Sequence, residues 1–220
     1  MEERKAEGTG SSSSEKMNGV IIESNAIFDL AFERDRNVSY IVGLAEANRI
    51  ALIVPEYALV EADGQSVSII EARENKIREF GQFLGQLGRG NLYQPTVPTV
   101  REQLDSLLSN CNQDRIRFQE TLEDLRQICT VIPQTPQAHV MGELRFKSAL
   151  PPFKSDDCQI YEAILEFIRL HRPEYQAIFF LTKDREDFDW QEINRELATL
   201  GVEISFSSGE CIRRLRELLQ

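Results

Sequence analysis

The chain has 220 residues, of which 41% are hydrophobic and 28% charged, with a formal net charge of −11. That length favours one domain with a real core, and the balance excludes a wholly disordered chain. No apolar run approaches the roughly 20 residues that span a bilayer, and the first 19 residues lack the apolar stretch of a secretory signal, so a cytoplasmic protein is expected.

Residues 1–18 are polar and carry the run Ser11-Ser12-Ser13-Ser14. Such a segment buries too little to order itself and reads as a tail. Residues 19–220 read as the domain. It opens with Val20-Ile21-Ile22, a buried strand ending at Glu23-Ser24-Asn25. Residues 26–49 have helical spacing, and Ala51-Leu52-Ile53-Val54 is a second strand. Pro55 suits the first turn of the next helix, which carries Glu61. A long helical region follows over 66–130, with Gly81, Gly85, Gly88, Gly90, Pro95 and Pro98 as interruptions. Another helix spans 136–148, and Pro151-Pro152 closes this insertion, about 64–150. Ser155 is expected to cap a helix over 156–170. Ala177-Ile178-Phe179-Phe180-Leu181-Thr182 is the strongest strand signal and runs into Lys183-Asp184. A helix at 190–199, capped by Asp189 and stopped by Gly201, precedes a last strand at Val202–Phe206 and a short helix at Cys211–Leu219. Strands alternating with helices imply a parallel sheet covered on both faces.

The acidic balance argues against a surface that attracts nucleic acid everywhere. It leaves room for a site whose own carboxylates supply part of that charge. Glu23 follows the first strand, and Asp184 and Asp187 follow the strongest one. In an open α/β sheet, the carboxyl ends of the strands form the ligand crevice. Glu61 and Asp157 sit on helices that abut it. Singly, each acid has a simpler reading as a helix cap or a solvated charge. Together they form a set that cannot all ionise in a dry pocket without a cation. Mg²⁺ or Mn²⁺ fits oxygen donors of this kind and activates water for phosphodiester hydrolysis. The two histidines, His139 and His171, need no catalytic role. The four cysteines, Cys111, Cys129, Cys158 and Cys211, lack ligand spacing and read as reduced thiols.

Four segments, in order, resemble the PIN-domain nuclease family. Val20 to Asn25 resembles the opening strand with its acid. Pro55 to Glu61 resembles the helix with an inward glutamate. Lys154 to Ile160 resembles the helix start that places Asp157, and Leu181 to Phe188 resembles the Thr-x-Asp…Asp-Phe element. The resemblance implies a three-layer α/β/α PIN-like domain with a central parallel sheet and a helical insertion. It also implies a metal-dependent endoribonuclease of single-stranded RNA, with a toxin of a toxin–antitoxin pair as one form and an antitoxin protein as its partner. Glu23, Glu61, Asp157, Asp184 and Asp187 would hold the metal, the first four together with catalysis. Asn25, Lys154, Thr182, Lys183 and Arg185 would contact substrate, with Lys147 a further cation near the crevice. Glu23 departs from the family's usual Asp. An inactive PIN-fold scaffold or nucleic-acid-binding module is therefore the alternative, and a phosphohydrolase or response-regulator-like domain a third. The oligomeric state is left open, a dimer among the options.

Overall fold

The computed structural model describes residues 16–90, 93–94 and 96–219. Residues 1–15 of the expected tail, and Pro95, lie outside them. Among the described residues, β1 (Met17–Ile22), β2 (Ala51–Pro55), β3 (Thr130–Ile132), β4 (Tyr175–Leu181) and β5 (Val202–Ser205) form one sheet in the order β3-β2-β1-β4-β5. All four ladders are parallel. Ile21 pairs with Ile53 and Phe180, and Phe180 pairs with Ile204.

Successive strand residues point to opposite faces, so a run buried at every position requires cover on both sides. Asn18 to Ile22 in β1 and Ile178 to Leu181 in β4 are such runs. Helices supply the cover, which makes a three-layer α/β/α domain. They are α1 (Ser24–Ala31), α2 (Arg36–Glu46), α3 (Glu56–Leu87), α4 (Val97–Ile128), α5 (Pro136–Lys147), α6 (Ser155–His171), α7 (Arg185–Phe188), α8 (Gln191–Thr199) and α9 (Ser208–Leu218). No helix among the described residues is long and apolar enough to cross a membrane.

The chain builds outward from β1 through β2 to β3, then returns to β4 on the other side of β1. The β1–β4 seam is therefore the topological switch point, where neighbouring connections leave in opposite directions and open a crevice at the carboxyl ends.

The expected helix over 26–49 is two helices. Glu33 adopts a left-handed φ of 51°, and Asp35 restarts the helix by accepting from the Asn37 N–H at 2.9 Å. The expected helical region over 66–130 ends instead in β3, whose Thr130-Val131-Ile132 run is β-branched throughout. Gly81 and Gly85 do not interrupt α3. They lie where α4 crosses, a Cβ on Gly81 falling 3.7 Å from Leu104 and one on Gly85 3.5 Å from Arg101. The break comes only after Leu87, and Pro98 sits in the first turn of α4, where its missing N–H costs nothing. The two 32-residue helices form an antiparallel hairpin about 48 Å long. Phe118 docks its base against Phe28 and Phe32, with ring centroids 5.5 and 5.7 Å apart. Two helix starts also differ. Lys154, not Ser155, is at the cap position of α6, and Trp190, not Asp189, is at that of α8, because the unexpected turn α7 uses the intervening residues.

Candidate metal centre

Parallel pairing of Ile22 with Leu181 puts Glu23 and Thr182 side by side at the switch point. Glu23 is the N-cap of α1. One carboxylate oxygen takes the Asn25 N–H and the Ser24 hydroxyl, each at 3.2 Å, and the Asn25 amide at 3.3 Å. The other takes the Thr182 hydroxyl at 3.3 Å. A glutamate's extra methylene lets the side chain curl back onto its own helix, which an aspartate caps from closer in. Burial pushes the Glu23 carboxyl above its ordinary range, with the Asn25 donors opposing. Ser24 also lies against Glu61, and its single hydroxyl proton serves Glu23.

Thr182 is buried, and its hydroxyl oxygen accepts the Asp184 N–H at 3.1 Å. It thus fixes the turn that follows β4. Asp184 then caps α7, accepting the Asp187 N–H at 3.0 Å. That turn swings Asp187 inward beside its own cap. Asp157 arrives from the first turn of α6, where the neighbouring Asp156 takes the Tyr57 hydroxyl at 2.7 Å and lies close to Glu61. One carboxylate oxygen from each of Asp157, Asp184 and Asp187 lies within 4.8 Å of the others. Their side chains are 13, 23 and 4% exposed, so water screens them poorly. Burial raises the Asp157 carboxyl to about 7, helped by the charges of Asp187, Glu61 and Asp184 and opposed by Lys154.

Glu61 borders this group from α3. Burial, together with the charge of Asp156, raises its carboxyl. One oxygen takes the Gln65 amide at 2.8 Å, while the other is buried with no hydrogen-bond partner among the described residues. A buried carboxylate oxygen left without a donor is costly. It fits a site built to receive a cation or its water. Oxygen-only donors suit Mg²⁺ or Mn²⁺, so the residues present fit a hard divalent ion.

The expected substrate contacts fall in different surroundings. Asn25 is exposed at the rim, its amide on Glu23. Lys183 is tied to Asp29 and to Asp35, the latter at 2.8 Å, in a knot that Ser208 completes. Arg185 pairs with Asp189 at 2.9 Å and lies over the Phe206 ring. Lys147 is exposed and pairs with Glu143. Lys154 reaches into the acidic group itself, with Asp187 its nearest partner. His171 pairs with Glu174 at 2.8 Å, and His139 lies 3.1 Å from Gln159. Sequence reasoning missed the pair Phe153 and Trp190, both 41% exposed, with rings edge to face at 5.0 Å. Two isolated aromatics 37 positions apart leave no periodic signal.

Thr182→Val is expected to lower stability by about 1–3 kcal/mol, because it removes the acceptor for the half-buried Asp184 N–H and the donor to the buried Glu23 without changing shape. Urea unfolding measures this. An unchanged midpoint would show that the hydroxyl does not organise the turn.

A family model described as PIN domain matches residues 20–188, well over half of the chain. No curated protein and no solved structure matches it.

Proposed function

Because the chain belongs to the PIN domain family, whose members are generally nucleases, we propose that it is a divalent-metal-dependent endoribonuclease acting on single-stranded RNA. The observation that carries this is the convergence of Asp157, Asp184 and Asp187 at the switch point, largely withdrawn from solvent. These three would hold Mg²⁺ or Mn²⁺. When bound, such an ion lowers the pKa of water and offsets charge on the phosphate. Glu61 borders the same group from α3 and would orient the attacking water. Glu23 keeps the β1 and β4 ends in register through Thr182 and acts as a positioning residue.

A strand preference is supported by Phe153 and Trp190. Phe153 precedes Lys154, and the Trp190 indole N–H donates to the Glu186 carbonyl at 2.8 Å, one residue before Asp187. Both rings thus lie on segments that flank residues of the acidic group. Exposed rings beside a cleavage site stack unpaired bases, which a duplex keeps inside its own stack. Stacking also suits a chain of net charge −11, which has little capacity to hold a phosphate backbone by charge alone.

Labelled RNA with Mn²⁺, against a chelator control, tests the activity, with a duplex and a DNA strand of the same sequence as competitors. Cleavage of the single RNA strand alone is the expected result. Trp190 is the sole tryptophan, so its fluorescence reports on stacking directly and should be quenched by single-stranded RNA in chelator. Preferred cutting of duplex, with no quenching, would overturn the strand preference. No cleavage with any divalent metal would move the reading to a scaffold, which Glu23 in place of the family's aspartate favours.

A further inference from the structure

The ammonium of Lys154 does not reach outward. It donates to Asp187 and to Asp184, the latter at 3.3 Å, and lies 3.8 Å from Asp157. These are the three carboxylates that converge. The side chain as a whole stays largely exposed while its ammonium meets the carboxylates. Lys154 also holds the cap position of α6, in extended backbone that follows the Pro151–Pro152 segment. The lysine is thus covalently delivered to the centre by the same turn that delivers Asp157, three residues on.

Three carboxylates with oxygens this close repel one another strongly when desolvated. A neighbouring positive charge relieves that repulsion, and Lys154 supplies one from within the chain. The same charge opposes entry of a second cation. An ammonium and a divalent ion about 4 Å apart repel, and they compete for the same lone pairs.

We propose that Lys154 is the resident counter-ion of the acidic centre: its ammonium holds Asp157, Asp184 and Asp187 together in the metal-free protein and must withdraw for a divalent ion to enter, so that it sets metal affinity. This rests on the metal-site reading above. Withdrawal needs only rotation of an exposed four-carbon stem, and it leaves the ammonium at the rim, where it can contact a substrate phosphate. Lys183 and Arg185 cannot play this part, since each is tied to carboxylates of a different group.

Mn²⁺ binding by calorimetry, with thermal unfolding in chelator, tests this on the wild type, Lys154→Met, Lys154→Gln and Lys154→Arg. In chelator, the Met and Gln variants should melt below wild type. Both should bind Mn²⁺ more tightly, on the order of tenfold or more, because one repelling charge is gone. The Arg variant should stay near wild type in both respects. If Met destabilises the metal-free fold too far, Gln, which keeps amide donors for the carboxylates, carries the comparison. Equal Mn²⁺ affinity in wild type and the Met and Gln variants would overturn the counter-ion role and leave the metal site standing. Arg binding as tightly as Met would overturn it too, since charge would then not be the cause. No Mn²⁺ binding by any of the four proteins would overturn the metal site and this role together.

Discussion

Asp184→Asn should bind Mn²⁺ about a hundredfold more weakly and lose detectable RNA cleavage, while remaining folded. The fold should survive because the amide oxygen of asparagine can still accept the Asp187 N–H, which is the structural duty of Asp184 as the cap of α7. What disappears is one of three converging carboxylates. Ligand that binds only the folded state stabilises it by mass action, about 2.7 kcal/mol at a concentration one hundred times Kd. At that same concentration, a variant with hundredfold weaker binding gains only about 0.4 kcal/mol. The melting-temperature rise of the wild type on adding Mn²⁺ should therefore nearly vanish in Asp184→Asn. An equal rise in both proteins would place the ion elsewhere. Equal cleavage by both would indicate a contaminating nuclease.

Arg145→Met should cost about 3–5 kcal/mol, a large share of the stability of any single domain. Arg145 is only 8% exposed and carries a charge into the seam between α5, α6 and α8. Its guanidinium donates to Glu162 at 2.6 Å, to the Pro151 carbonyl at 2.7 Å and to Glu196 at 2.9 Å, and it lies 4.8 Å from the Tyr161 ring centroid. Glu162 is 4% exposed, so removing the arginine strands a buried carboxylate. Replacing both residues removes that stranded charge, and buried ion pairs exchanged for apolar side chains are often neutral. Arg145→Met with Glu162→Met should accordingly recover most of the loss. Denaturant unfolding of the two single variants and the double variant decides the matter. A double variant as unstable as Arg145→Met alone would show that the pairing with Glu162 is not what the arginine supplies. The Pro151 carbonyl leads into the segment that carries Lys154 and Asp157, so this network also anchors the start of that segment.

Much of the architecture was written locally. β1, β2 and β4 announce themselves through the apolar runs Val20–Ile22, Ala51–Val54 and Ala177–Leu181, because a strand buried on both faces has no polar side to show. Gly201, at a φ of +70°, ends α8 where a left-handed residue was called for. An acid placed directly after a buried strand has its backbone fixed by that strand, so Glu23 and Asp184 could be assigned to one end of the sheet before any contact was known. The resemblance to the PIN domain lay in the order of such local segments, and the family match covers the same stretch.

Other features had no local signature. The split between α1 and α2 depends on Asp35, whose cap is reinforced by Lys183 and Ser208 from far along the chain. β3 is three residues long and gains its ladder only by lying beside β2. The pairing of the basic side chains was the least legible of all. Lys154 meets Asp187 across 33 positions and Arg145 meets Glu196 across 51. A cation in sequence shows a charge but not its partner. Which carboxylate claims it is decided by the distances that packing leaves open, and by the cost of burying either charge alone. For that reason the acids of the centre could be read from the order of strands and helices, while the lysine among them emerged only when the sheet and its helices were assembled.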